Sequence, residues 1–210
     1  MQKTKIEWCD YTWNPVVGCR RGCSYCYAKR LNDRFKMIPN FSVPTFYPER
    51  LNDKFPKKPS KIFVGSMTDI CFWKREWMDE VLKIIRKQPQ HTFMFLTKNG
   101  DIYGKYIFPV NCWAGVTYMS DWHLKLSNTN WRIKKYLSIE PLLKEIKVKN
   151  IGNTWDLVII GGLTPRPIHK NKWVDKIIKH CDDCGIEYFL KSNLCYPLQP
   201  PTLIKDCSNE

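Results

Sequence analysis

Seven short apolar runs punctuate this chain: "TWNPVVGC", "KIFVGSM", "HTFMFLTK", "CWAGVTY", "KYLSIEP", "WDLVIIGG" and "IEYFLKSN". Each has an apolar core of about five residues, the usual length of a β-strand. Most are continuous rather than alternating, which is the pattern of strands buried on both faces of a parallel sheet. Helical patterns lie between several of them. "KREWMDEVLKIIRKQ" sets Trp77, Val81, Leu82 and Ile85 on one stripe, and "NKWVDKIIKHCDDC" does so with Val174, Ile177, Ile178 and Cys181. "CYAKRLNDRF" places Tyr27, Leu31 and Phe35 at helical spacing. The strand–helix alternation predicts an α/β fold with parallel strands, as a partial or complete TIM-like (β/α) barrel. An open doubly wound sheet is the rival, since periodicity does not separate the two.

At 210 residues the chain is long enough for one domain with a substantial core, and residues 1–210 are read as a single barrel domain. Residues 36–61 hold five prolines and several rings, which rules out a continuous helix or a central strand. This stretch is expected to be an ordered insertion at the barrel mouth. The tail from about residue 195, "YPLQPPTLIKDCSNE", reads as a chain end laid across the fold.

"GCRRGCSYCYAKR" puts Cys19, Cys23 and Cys26 within eight residues, between the first strand signal and a helix start. A structural zinc site takes four ligands, usually as two close pairs. A disulfide framework takes an even number of cysteines. Three thiols suggest a metal centre with one coordination position left open, as in a 4Fe–4S cluster held by three of its four irons. Beyond a strand's carboxyl end is where barrels and doubly wound sheets place their sites. The following helix N-terminus favours thiolate. No apolar run reaches the length of a membrane span, and the N-terminus does not read as a signal peptide. A cytoplasmic protein without a membrane partner is expected. Its ten cysteines would then be thiols or metal ligands, with Cys9, Cys71 and Cys112 as small buried hydrophobes. The net charge of +14 raises a phosphate-rich partner, although no block of five basic residues occurs.

The Cys-x-x-x-Cys-x-aromatic-Cys pattern, with Tyr25 at the aromatic position, resembles the signature of the radical S-adenosylmethionine (SAM) superfamily. "KIEWCDYTWNPVVGC", "IFVGSMTDI", "HTFMFLTK", "LSIEPLL" and "LVIIGGLTPRP" extend the resemblance over almost the whole chain. They are similar to a phage- and bacteria-borne, DUF5131-like family of radical-SAM-like proteins of unassigned function. The resemblance implies that Cys19, Cys23 and Cys26 carry a 4Fe–4S cluster whose fourth iron chelates SAM. It also implies reductive cleavage of SAM to a 5′-deoxyadenosyl radical that abstracts hydrogen from a substrate, with the electron supplied by a reductase, flavodoxin or ferredoxin. By strand-end position, Tyr25 would rest against the adenine or ribose. Gly65, Ser66 and Asp69 would approach the methionine ammonium, and Lys98, after Thr97, its carboxylate. Thr117 ends the fourth strand. Ser138 and Glu140 end the fifth, near a ribose diol or substrate. Gly161 and Gly162 leave room for a purine, and Lys191 ends the last strand. Lys98, Glu140 and Lys191 are the catalytic candidates.

Basic charge and abundant rings favour a nucleic-acid base or nucleotide as substrate, which a duplex would have to flip out. Cys181, Cys184, Cys195 and Cys207 could hold an auxiliary cluster or zinc, although Cys181 also fits the apolar stripe of its helix. The alternative function is a non-catalytic nucleic-acid-binding protein stabilised by zinc or an iron–sulfur cluster. An electron carrier fits less well, because carriers coordinate all four irons. No histidine lies in a hydrolase arrangement, and no Walker loop occurs.

Overall fold

A computed structural model of the chain describes residues 1–118 and 133–196. It divides into two compact units, one centred on Met1–Gly115 and the other on residues 134–196 together with Val116 to Tyr118. The C-terminal tail and Cys207 lie outside the described residues, apart from the tail's first two positions.

The first unit contains β1 (Gln2–Lys3), β2 (Tyr11–Trp13), β3 (Val16–Val17), α1 (Tyr27–Phe35) and β4 (Thr45–Phe46). After these come β5 (Lys61–Val64), α2 (Arg75–Arg86), β6 (Thr92–Thr97) and most of β7 (Cys112–Thr117). Its main strand order is β1-β2-β5-β6-β7. β1 runs antiparallel to β2, but β2 is parallel to β5 and β5 to β6. Trp13 sits opposite Val64, and Val64 opposite Phe95. All three are fully buried, which is why these runs carry apolar residues at successive positions.

The second unit orders the end of β7 with β8 (Lys134–Ile139), β9 (Leu157–Ile160) and β10 (Glu187–Leu190), and packs α3 (Asn171–Cys184) on them. β8–β9 and β9–β10 are parallel. Every residue of β9 is buried. The protein is therefore a mixed α/β fold with a mostly parallel sheet of eight strands, as its apolar runs predict. No helix among the described residues is long and apolar enough to cross a membrane.

The helix faces differ from expectation in two places. In α2 the buried stripe is Met78, Val81, Leu82 and Ile85, while Trp77 lies half-buried and stacks on Phe46 with ring centroids 5.6 Å apart. In α1 the predicted stripe is turned outward. Tyr27, Leu31 and Phe35 are exposed, and Ala28 and Asn32 face in. The reason lies in Asn32. Its amide donates to the Ile38 carbonyl at 3.1 Å, and its Oδ1 accepts from the Ile38 N–H at 2.9 Å. Such a reciprocal pair satisfies a buried amide. It fixes the turn after α1, so that small Ala28 packs with Val17, Ile38, Phe41 and Met67. α3 follows the expected stripe at Val174, Ile177 and Cys181.

The proline-rich stretch contains two short elements. β4 pairs antiparallel with β3, and Pro48–Asn52 forms a 3₁₀ turn. Arg50 ties this segment to the strands: its guanidinium donates to the Asn14 carbonyl at 2.7 Å, and its own carbonyl accepts from the Trp13 indole at 2.9 Å.

Candidate functional site

In the first unit the cysteine loop begins where β3 ends and finishes at the first turn of α1. Its entry is pinned to the turn after β5. Gly18 bridges Thr68, its N–H donates to the Met67 carbonyl at 3.0 Å, and the Thr68 hydroxyl donates to the Gly18 carbonyl at 2.7 Å. Gly65 opens that turn with φ +77°, a left-handed conformation that glycine adopts without penalty. Ser66 Oγ and the Met67 N–H both donate to Asn14 Oδ1 at 3.1 Å, and the Tyr27 hydroxyl donates to the Ser66 carbonyl. Ser66 thus ties the turn after β5 to Asn14 and to the first residue of α1.

Cys19, Cys23 and Cys26 are free, half-buried thiols. Cys26 is the N-cap of α1, where its sulfur accepts from the Lys29 N–H at 3.4 Å. Cys19 accepts from the Arg21 N–H at 3.5 Å. Burial pushes the Cys19 thiol up to about 11; the Arg21 N–H opposes this, while Asp69 and the other two loop cysteines add to it. Cys19 therefore needs a cation close by before it gives up its proton.

The three thiols fit a cluster in chemistry: soft donors, unpaired in disulfides, on one short loop at a helix start. Among the described residues no three Cys, His, Asp or Glu groups lie close enough for a single metal ion. A cluster that gives each thiolate its own iron asks for a wider spread than a single-ion site does.

Asp69 organises the surroundings. Only 6% exposed, it accepts from the Thr97 hydroxyl at 2.5 Å, the Cys71 N–H at 3.1 Å, the Lys98 N–H at 3.1 Å and Arg21 Nη2 at 3.4 Å. Both carboxylate oxygens are engaged, so Asp69 fixes the ends of β5 and β6 relative to the loop. Lys98 turns its Nζ to the Tyr25 hydroxyl at 3.1 Å and lies 5.3 Å from that ring's centre. The structure therefore brings Tyr25, Lys98 and Asp69 together beside the cysteine loop.

Two participants go unnoticed in the sequence. Arg21 donates to Cys71 Sγ at 3.4 Å as well as to Asp69, and it lies over the Phe72 ring. Its Nε is buried without a hydrogen-bond partner. Cys71 is accordingly no core hydrophobe. It is half-buried in a polar cluster, with its thiol pushed up to about 12 by burial and by Asp69 against the opposing pull of Arg21. A basic residue inside the cysteine loop is the signal that marks Arg21. Cys9 and Cys112 are buried as expected.

The second unit holds another polar cluster. Glu140, just past β8, pairs with Lys191, just past β10. Gly161 lies between them: a Cβ there would come within 3.0 Å of Glu140 Cγ and Lys191 Cδ. Gly162 is held even more closely, its N–H donating to Asn193 Oδ1 and its carbonyl accepting from Asn193 Nδ2. A Cβ on Gly162 would lie 2.6 Å from the Asn193 carbonyl oxygen, so this glycine is required by close approach. The space beside both glycines is thus taken by protein groups. Ser138 is 1% exposed with an unpartnered Oγ, and Thr117 is buried at the end of β7.

Residues 3–196 match the family described as "Protein of unknown function (DUF5131)". The chain belongs to this family. No curated protein and no solved structure matches it. In this DUF5131 chain, Cys181 is buried in the α3 interface and Cys184 and Cys195 are exposed. Of the four C-terminal cysteines, Cys207 lies outside the described residues.

Proposed function

We propose that this DUF5131 protein is a radical SAM enzyme built on a partial (β/α) barrel. Cys19, Cys23 and Cys26 would hold a 4Fe–4S cluster which, with SAM bound, supplies reductive cleavage to a 5′-deoxyadenosyl radical that takes hydrogen from a substrate. The observation that carries this reading is the loop itself: three free thiols between a strand end and a helix N-cap, with Tyr25 and Lys98 alongside. The parallel pairing of β2, β5 and β6 supports the barrel assignment, as does that of β8, β9 and β10.

The chain's own groups have distinct parts. Asp69 is a positioning residue, since its oxygens are already committed to Thr97, Lys98, Cys71 and Arg21. Lys98 offers an ammonium for an amino-acid carboxylate, and Tyr25 a ring for a flat heterocycle. Glu140 and Lys191 supply paired opposite charges suited to a diol or a charged substrate group. A nucleic-acid base or nucleotide is the substrate class that the +14 charge favours. An external reductase, flavodoxin or ferredoxin would supply the electron.

The test is anaerobic. Chain reconstituted with iron and sulfide and reduced by dithionite should show a paramagnetic spectrum that shifts on adding SAM. It should form 5′-deoxyadenosine, and Cys23→Ala should lose both signals. A zinc-loaded, colourless protein, or a cluster whose spectrum ignores SAM, would overturn the reading in favour of a metal-stabilised nucleic-acid-binding protein.

A further inference from the structure

α1 shows solvent a face that a helix would ordinarily bury. Tyr27, Leu31 and Phe35 are 43%, 38% and 60% exposed, and Met37 beyond the helix is exposed too. Residues 27, 30, 31, 34 and 35 fall on one side of a helix, three and four apart. Arg30 and Arg34 therefore share that side with the two rings, and both are exposed. Arg34 already lies over the Phe35 ring, 5.1 Å from its centre. Between Arg20 and Lys36 there are six cations and one acid. That acid, Asp33, is engaged by Lys29 at 2.6 Å.

We propose that this face of α1 docks single-stranded nucleic acid. Exposed rings and guanidinium planes give bases of any sequence a surface to stack on, while the cations meet the phosphates. Charge complementarity favours this occupant over an apolar one: the face carries Arg30 and Arg34, with Lys36 at the helix C-cap, on a chain of net charge +14. A duplex fits poorly, because its bases are stacked inside and the rings could not reach them. The face includes none of the loop thiols, so the inference stands whether or not the chain carries a cluster. If both hold, it gives the substrate class of the enzyme.

Fluorescence anisotropy on the full-length, anaerobically handled protein tests this, with a short labelled polypyrimidine strand and the same sequence as a duplex. The single strand should bind more tightly than the duplex. Phe35→Ala should weaken single-strand binding on the order of tenfold without changing its salt dependence. Arg30→Gln with Arg34→Gln should flatten the slope of log affinity against log salt by about 1.4. Lys57→Gln with Lys58→Gln removes the same charge from exposed positions off the stripe and should leave the slope unchanged. All five positions are exposed, so circular dichroism should show every variant folded. The proposal is overturned if Phe35→Ala has no effect. Equal effects of the two charge pairs, or a preference for duplex, would also defeat it. So would unchanged strand binding in the stripe variants together with lost binding of an acidic protein such as a flavodoxin.

Discussion

Asp69→Ala probes the polar hub of the first unit. The carboxylate is almost fully buried and accepts from two backbone N–H groups, one hydroxyl and one guanidinium. Removing one partner of a buried ion pair costs about 3–5 kcal/mol. The Arg21 contact is long at 3.4 Å and Arg21 keeps 21% of its side chain exposed, which places that part at or below the low end. The three other donors lose a charged acceptor, and each buried donor left unpaired costs about 1–3 kcal/mol before water or local shifts repair it. A net loss of about 3–5 kcal/mol is expected for alanine, and about 2 kcal/mol for asparagine, which keeps one neutral acceptor oxygen. Thr97→Val leaves the charge but removes one of its donors and the hydroxyl that accepts from the Asn99 N–H at 3.0 Å, so it should cost about 1–2 kcal/mol. Urea titrations followed by tryptophan fluorescence give these differences, provided the slope stays constant across variants. An Asp69→Ala protein within about 1 kcal/mol of the parent would refute the hub. So would an Arg21→Met, Asp69→Ala double-mutant cycle with no coupling.

Gly162→Ala should destabilise the second unit, because the new Cβ would meet the Asn193 carbonyl oxygen at 2.6 Å, and the melting temperature should fall; an unchanged melt would show that the close approach relaxes freely. Lys191→Met should cost about 1–2 kcal/mol by leaving Glu140 without its ammonium, and Glu140→Gln on top of it should recover part of that loss in the same titration. Burial holds the His91 imidazole below its usual range. The unfolded chain therefore takes up the proton more readily, and this part of the stability is present above about pH 6.5 and is lost as pH falls. His91→Phe, which keeps a ring beside Phe55 and Phe93, should flatten the decline in unfolding free energy between pH 7 and 5; an equally steep decline would clear His91 of the effect.

The parallel strands were legible because burial on both faces forces apolar residues into successive positions, as at Ile62 to Val64 and throughout β9. α2 and α3 were legible for a related reason, since each buries a stripe wide enough to show at helical period. α1 misleads by the same rule. Its apolar period is real, but the face it marks points to solvent, and the buried positions are a small residue and an amide. What decides the matter is Asn32 gripping the Ile38 backbone, a local satisfaction of polar groups that hydrophobic periodicity does not encode. Whether strands close a ring is likewise a matter of stagger and tilt, which short apolar runs do not carry.

The site divides along similar lines. A cysteine triad at a strand end is visible in the sequence because donor type and spacing are covalent facts. What holds the triad in place is not, because it comes from residues far apart in the chain. Asp69 gathers donors from the cysteine loop, from Cys71 and from the end of β6, and only the fold brings these together. Strand-end position found Asp69 and Lys98 but suggested direct ligand contact for both. The hydrogen bonds separate them. The Asp69 oxygens are committed to protein donors, whereas among the described residues the Lys98 ammonium meets the hydroxyl and ring of Tyr25. An ammonium has three protons to donate, so Lys98 can still take up a carboxylate. The same reasoning weighs against Gly161 and Gly162 as an open floor for a purine. Glycine at a strand end signals that something approaches closely, and in this chain the Glu140–Lys191 pair and Asn193 already do. A ligand entering there would have to displace an ion pair, so its binding should weaken when that pair is strengthened and should be tied to the charge on Lys191.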